Sequence, residues 1–344
     1  MVDSPLHFQD RAQFNSQFGL QSDFADSHQQ TFHQRWNHLV NPHVRALAWL
    51  LDAPDLLDLL ARQWHGKVAI LGPMSDDVQN WVTMLDQTPD AINAVMAQSS
   101  FRLGLYAEKL MAFYFTHQNR LLGHGVQVRS MDSKAVRTIG EFDFLLRAGA
   151  GHDTDLTHWE FATKFYLWVQ PPKAMPPEYC FVGPNLADSL GAKMHKILEQ
   201  QLALSRHPAA QVNLPGAVTT AQALIKGWLF YPDHDSVSNH RLAGVSAQHC
   251  YGYWCKEGAV ADLSAVHYAI LPRLAWLAPA KVMPEQSMSK LDLQTTLAAH
   301  FGIDASPVLV AELMPYCGWM LETRRRFIVP DDWQQRAEQR FLDA

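Results

Sequence analysis

Charge is sparse in this sequence: Asp, Glu, Lys and Arg make up 18 % of its 344 residues. A cationic surplus is missing as well. Lys and Arg number 28 against 34 Asp and Glu, a formal net charge of −6. Proteins that coat nucleic acid non-specifically carry strongly basic surfaces. Bulk charge therefore excludes that class, while leaving room for a local basic groove or for positive charge brought by a bound cation. Cysteine is scarce, with Cys180, Cys250, Cys255 and Cys317 as the only four. None forms a CxxC pair, which argues against zinc ribbons and thioredoxin-like redox chemistry. A chain of this length needs no disulfides to hold a core, and a reducing cytoplasm is the expected setting. No apolar run reaches the roughly 18 residues that a membrane-spanning helix requires. The segment MVDSPLHFQDRAQFNSQFG lacks the charged-then-apolar order of a secretory signal. Neither membrane contact nor export is expected. The 17 His include no HExxH, and no GxxxxGK(S/T) phosphate loop occurs. Internal repeats and low-complexity tracts are absent too.

Apolar material is abundant. Hydrophobic residues make up 48 %, with 11 Trp and 17 Phe, a mix that suits a folded domain with a large core. Residues 1–35 are polar and read as a weakly ordered arm. Between Asn41 and Trp64, Val44, Leu47, Leu51, Leu56 and Leu60 recur at helical spacing, and Pro42 and Pro54 punctuate two short helices. Two further helical pieces over 76–98 break near Pro89. Residues 1–98 thus form a helical N-terminal region.

The next segment, 99–235, changes period. SSFRLGLYAEKLMAFYFTHQ is an apolar helix in which Glu108 is the only acid. LLGHGVQVRS ends with strand-like alternation. In IGEFDFLLRAG, Phe142, Phe144 and Leu146 fall on one parity and Glu141, Asp143 and Leu145 on the other, which indicates a strand. The turn AGAGHDTDLT leads to HWEFATKFYLWV, so a hairpin is expected. GPNLADSLGAKMHKILEQQLALSRH reads as one amphipathic helix capped by Asn185 or Asp188, and ALIKGWLFYP as another strand. Residues 236–344 form a β-rich extension with one helix near Lys290–His300. The fold class is α/β (α+β), in the order helix, three strands, helix, strand.

Several side chains in this order suggest chemistry. Asp143 is an acid in an apolar strand, where burial is costly without partners. Glu160 and Lys164 lie on the next strand, and Lys193 and Lys196 on the following helix. Arg324–Arg325–Arg326 is the only dense basic run; as strand residues its members would alternate along a solvated edge, or Arg324 and Arg326 would clamp a phosphate backbone. His249, Cys250 and Cys255 fit no usual zinc spacing and read as core. Tyr251, Tyr253 and Trp254 read as packing residues in preference to a base-stacking platform.

GEFDFLL followed by EFATKFYL resembles the strand-acid, turn, strand-acid-lysine arrangement of the PD-(D/E)XK (restriction-endonuclease-like) superfamily. That resemblance covers about residues 100–231 and implies an αβββαβ core. RLGLYAEKL and FVGPNLADSLGAKMHKI are similar to a bacterial family, domain of unknown function 1853. The superfamily resemblance implies a metal-dependent nuclease that hydrolyses phosphodiester bonds, on DNA in preference to RNA. It implies Asp143, Glu160 and Lys164 as catalytic residues. It also implies Mg²⁺ or Mn²⁺ held by Asp143, Glu160 and Glu108, support from Glu141 and Lys193, and nucleic-acid contacts from Lys193, Lys196, Arg324 and Arg326. One departure stands out. The superfamily motif is acid-x-Lys, with the two side chains about 6.6 Å apart on one strand face. Here Glu160 and Lys164 are four residues apart, about 13 Å in an extended strand, with Ala162 between. A β-bulge would close the gap. Without one, the alternative is a catalytically degenerate nuclease-fold module that binds nucleic acid, or a protein-interaction module that docks a partner through its N-terminal helices.

Overall fold

A computed structural model describes residues 27–97, 102–132, 135–148, 155–212, 214–233 and 242–343. Of the expected polar arm, residues 1–26 lie outside these ranges, as does most of the AGAGHDTDLT turn. The end of the arm is helical: α1 spans His28–Trp36, and the Ser27 hydroxyl accepts the Gln30 N–H at its start. Asn41 caps α2 (Pro42–Asp52), with Pro42 in the first turn, where its missing N–H costs nothing. Pro54 starts no second helix. The chain after it is irregular apart from one 3₁₀ turn at Arg62–Trp64. Helices α3 (Asp76–Gln87) and α4 (Asp90–Met96) break at Pro89 as expected, and α5 runs Leu103–His117.

Strands β1 (Leu121–Asp132), β2 (Ala135–Arg147) and β3 (Leu156–Trp168) follow, then the short β4 (Phe181–Val182). The helix expected after them is shorter and begins later. Ser189, not Asn185 or Asp188, caps α6 (Leu190–Lys196) by accepting the Ala192 N–H. A π turn, Ile197–Gln201, continues it, and α7 (Pro208–Gln211) is a single turn. Then come β5 (Val218–Pro232), β6 (Cys250–Lys256), β7 (His267–Ile270), β8 (Lys281–Val282), α8 (Lys290–Phe301), β9 (Val308–Tyr316), β10 (Trp319–Val329) and α9 (Trp333–Asp343). Among the described residues no helix is long and apolar enough to cross a membrane.

The fold is mixed α/β. One ten-stranded sheet has the order β1-β2-β3-β5-β6-β10-β9-β7, with β4 beside β3 and β8 beside β10. β1, β2 and β3 form an antiparallel meander, whereas β3, β5, β6 and β10 are parallel neighbours. The sheet runs without a break across the expected boundary at 235, because β5 pairs directly with β6. Period-two alternation sorts β3 between two layers. Trp159, Phe161 and Phe165 join the core under α1, α2 and α5. Ala162, Tyr166 and Trp168 pack beneath α6 with Leu190, Met194 and Ile197.

The pairing of β3 with β5 is the rigid spine of this region. It runs in unbroken register from Thr157↔Thr220 to Leu167↔Phe230. No bulge shortens the distance from Glu160 to Lys164. Gly227 lies opposite Lys164, and a Cβ at Gly227 would sit 2.0 Å from the Lys164 carbonyl oxygen. A backbone atom in a central strand cannot yield as a flexible side chain would. Gly227→Ala is expected to cost at least about 2 kcal/mol through overpacking, read as a lower urea midpoint. An unchanged midpoint would contradict this close approach.

Candidate functional site

The site forms where two strands part. β1 and β2 pair from Leu121↔Leu146 out to Asp132↔Ala135, but β2 pairs with β3 only over Phe144–Arg147. Asp143 is the first residue past that short ladder. β5 keeps β3 straight, and β2 swings away. The alternation expected through GEFDFLL breaks at this point. Phe144 and Leu146 pack under α5, but Phe142 joins Leu145 in a separate cluster with Val128, Leu204 and Ala210. Gly125 in β1 helps the swing: its φ of 63° lies in the left-handed region that favours glycine.

The parting leaves the Phe161 N–H without a β2 carbonyl. Asp143 Oδ2 accepts it at 2.8 Å. Three carboxylates meet beside this bond. Glu108 on α5 and Glu141 and Asp143 on β2 each offer an oxygen within 4.8 Å of the others. Glu108 Oε1 also bonds His124 Nε2 on β1 at 2.8 Å. Gly125 borders this group, for a Cβ there would lie 3.5 Å from Glu141 Oε1.

Glu160 stands behind the cluster, 1 % exposed. Both of its oxygens are engaged. Oε1 bonds His158 Nε2 at 2.9 Å, and Oε2 accepts from Gln201 Nε2. Gln201 Oε1 in turn accepts from Lys193 Nζ at 3.1 Å. The π turn presents Gln201 here, as such turns often do at functional sites. Burial is the main cause of every large ionisation shift in the site. It raises Asp143 to about 7, with Glu160 and Glu108 adding repulsion and the Phe161 N–H opposing. It raises Glu160 to about 7 against the pull of Lys193. It lowers His158 to about 4, so His158 is neutral at pH 7. Burial and then Lys164 lower Lys193, while Glu160 and Asp143 work the other way.

The predicted residues separate into groups. Glu108, Glu141 and Asp143 converge, with Glu160 and Lys193 joined to them through hydrogen bonds and charge. Lys164 is drawn elsewhere: its Nζ bonds Asp188 Oδ2 at 3.2 Å, an oxygen that also accepts from Tyr166 Oη at 3.0 Å. Lys196 is exposed at the end of α6. The basic run is not a solvated edge, because β10 lies inside the sheet between β6 and β9. Arg326 is buried and paired with Glu312 and Asp233. Arg325 is buried in a two-pronged bond to Glu322, 3.8 Å above the Trp228 ring. Arg324 is half-buried and lies over the Tyr253 ring. β10 is three strands from β3, about 14 Å at the usual strand spacing. Arg326 is committed to ion pairs inside the sheet, away from the cluster. His249 bonds Tyr231 Oη and the Ser246 carbonyl, Trp254 donates to the Trp168 carbonyl, and Cys250 and Cys255 are buried free thiols.

His124, His158, Gln201 and Gly125 were not among the predicted residues. His158 was within reach, lying two before Glu160 on the same strand face. Gln201 was not, because its position depends on the π turn.

The model of the family described as Domain of unknown function (DUF1853) matches residues 45–329. No curated protein and no solved structure matches the chain.

A carboxyl group with a raised pKa in the fold binds its proton more tightly folded than unfolded. Its contribution to stability therefore falls as pH rises from the ordinary carboxylate range to about 7, then levels off. Buried His33 and His158, whose pKa values burial lowers, act in the opposite direction, so the difference between two proteins is the informative quantity. Asn at position 143 mimics the protonated acid. In urea denaturation with EDTA, Asp143→Asn should gain on wild type by at least about 1.4 kcal/mol between about pH 4 and about pH 8, the equivalent of one pKa unit. A pH-independent gap would contradict a raised Asp143.

Proposed function

The chain belongs to the DUF1853 family, and from the notch between β2 and β3 we propose that it is a divalent-metal-dependent nuclease that hydrolyses phosphodiester bonds in DNA. The convergence of Glu108, Glu141 and Asp143 carries this reading. Their oxygens suit a hard cation such as Mg²⁺ or Mn²⁺. The upward shift of Asp143 supports the fit, because a carboxyl that ionises reluctantly alone gains most from a cation. A bound divalent cation supplies a charge sink for a phosphoryl group. The order α5, β1, β2, β3, α6, β5 supports a restriction-endonuclease-like core, with Asp143 at the superfamily's strand acid and Glu108 at its helix acid.

The lysine role is reassigned in this reading. Lys193 holds Gln201 and through it Glu160, and it shares charge with both Asp143 and Glu160. Its ammonium would offset charge on a phosphate in the notch. Lys164 is committed to Asp188, and its charge helps to lower the Lys193 pKa. Glu160 orients Gln201 and His158 instead of offering a free oxygen.

That sequestered Glu160 also favours a second reading, a nuclease-fold module that binds DNA and metal without cutting. Cleavage assays on duplex DNA with Mn²⁺ or Mg²⁺ decide between the two. The nuclease reading expects Asp143→Asn and Glu108→Gln each to lower the rate by about a hundredfold or more, at least the loss usual for groups that support a metal. It also expects Lys193→Met to cost more than Lys164→Met. Asp143→Asn cutting at the wild-type rate would overturn it. DNA and Mn²⁺ binding with no cleavage by wild type would establish the second reading.

A further inference from the structure

We propose that Arg129 contacts the phosphodiester backbone of DNA beside the carboxylate cluster, so that the β1–β2 ribbon sets the path of the strand over the site. The inference rests on reading the notch as a nuclease site.

N-terminal to Phe144, β2 has no pairing with β3, and β1 and β2 form a two-stranded ribbon from Val126↔Phe142 to Asp132↔Ala135. Gln127 lies directly opposite Glu141, one of the three converging carboxylates. Directly opposed residues share a face of the sheet. Arg129 is two residues further along, and its Nη2 donates to Gln127 Oε1 at 2.9 Å. This bond tethers the guanidinium on the face that carries Glu141.

The register supplies a second observation. Val128 pairs with Gly140 but Arg129 pairs with Thr138, which leaves Ile139 as the extra residue of a bulge. The extra residue is on β2, which bends there and raises the local twist of the ribbon opposite Arg129. Val128 is 2 % exposed and packs on Leu204 and Ala210, so the backbone just before Arg129 is anchored. Arg129 itself is exposed. Among the described residues no carboxylate pairs with it, although carboxylates are near.

A guanidinium has five donors in a planar fork suited to phosphate oxygens. Here one of them is used within the described residues. Gln127 and Arg129 are about 6.6 Å apart along the strand. That is comparable to the separation of neighbouring phosphates along one DNA backbone, which exceeds the roughly 3.4 Å axial rise because the backbone winds around the helix axis. A strand whose phosphate lies at the carboxylates thus places a second phosphate near Arg129. Contacts of this kind fix position and register without reading sequence.

Fluorescence anisotropy with a short fluorescein-labelled DNA duplex tests this, with Ca²⁺ in place of Mg²⁺ to prevent cutting. The measured quantity is the slope of log affinity against log salt concentration. Arg129→Ala should weaken binding and make that slope shallower by about 0.9, the loss of one phosphate contact. Arg129→Lys should retain the slope. A thermal melt of each variant matching wild type shows that the fold is intact. If wild type binds with a salt-dependent slope and Arg129→Ala has the same affinity and slope, the Arg129 contact is overturned and the nuclease reading stands. If wild type binds no DNA at any salt concentration, the nuclease reading falls and the Arg129 contact falls with it.

Discussion

The hydrogen bond from the Phe161 N–H to Asp143 Oδ2 is the interaction on which the candidate site depends. A strand that leaves a sheet exposes the backbone donors of its former neighbour, and buried donors must find partners. A side-chain carboxylate meets that need here. It lets β2 stay unpaired with β3 before Phe144 without leaving a broken ladder, and it holds Asp143 at the mouth of the gap. Two opposing forces then act on the same group. The N–H favours the ionised acid, while burial and the nearby acids disfavour it. Burial prevails, and Asp143 rests at about 7.

The surroundings follow from that parting. β3 stays straight because β5 pairs with it along nearly its whole length. β2 bends because Phe142 finds a second apolar cluster with Leu204 and Ala210. α5 lays Glu108 against the opening, and the π turn after α6 brings Gln201 to Glu160. Of the nearby cations, Lys193 reaches Glu160 through Gln201. Lys164 is drawn to Asp188, and Arg325 and Arg326 are consumed by Glu322, Glu312 and Asp233. Buried charges of that kind need partners to be tolerated. Arg325 and Arg326 thus serve the core of the sheet. What remains at the notch is the group Glu108, Glu141 and Asp143, with His124 bonded to Glu108.

Much of this was legible in the sequence where a local rule governs. Period-two alternation located β2, β-rich segments marked β3 and β5, helical spacing located α2 and α5, and Pro89 marked the break between α3 and α4. Glu108 and Asp143 stood out as acids in apolar elements, and both lie in the cluster. The misreadings share a physical cause: they depend on contacts between distant segments. Whether Arg326 is solvated depends on β10 lying between β6 and β9, which no local pattern encodes. The superfamily resemblance put Lys164 beside Glu160 despite their four-residue spacing, but Asp188, 24 residues away in the chain, takes its ammonium. The helix start at Ser189 rather than Asp188 follows from that same ion pair, which occupies the carboxylate expected to act as the cap. Trp333–Asp343 was not predicted as a helix, although its Trp333, Ala337 and Phe341 recur at four-residue spacing.

The central claim is that Glu108, Glu141 and Asp143 hold a divalent cation. The most direct test is a crystal structure grown with Mn²⁺ and measured for anomalous scattering. The account predicts one anomalous peak in the notch between β2 and β3, within roughly 2.0–2.6 Å of oxygens from these three carboxylates, the span of hard-cation bond lengths. Crystals with no peak there, in which Lys or Arg side chains neutralise the three acids, would contradict it.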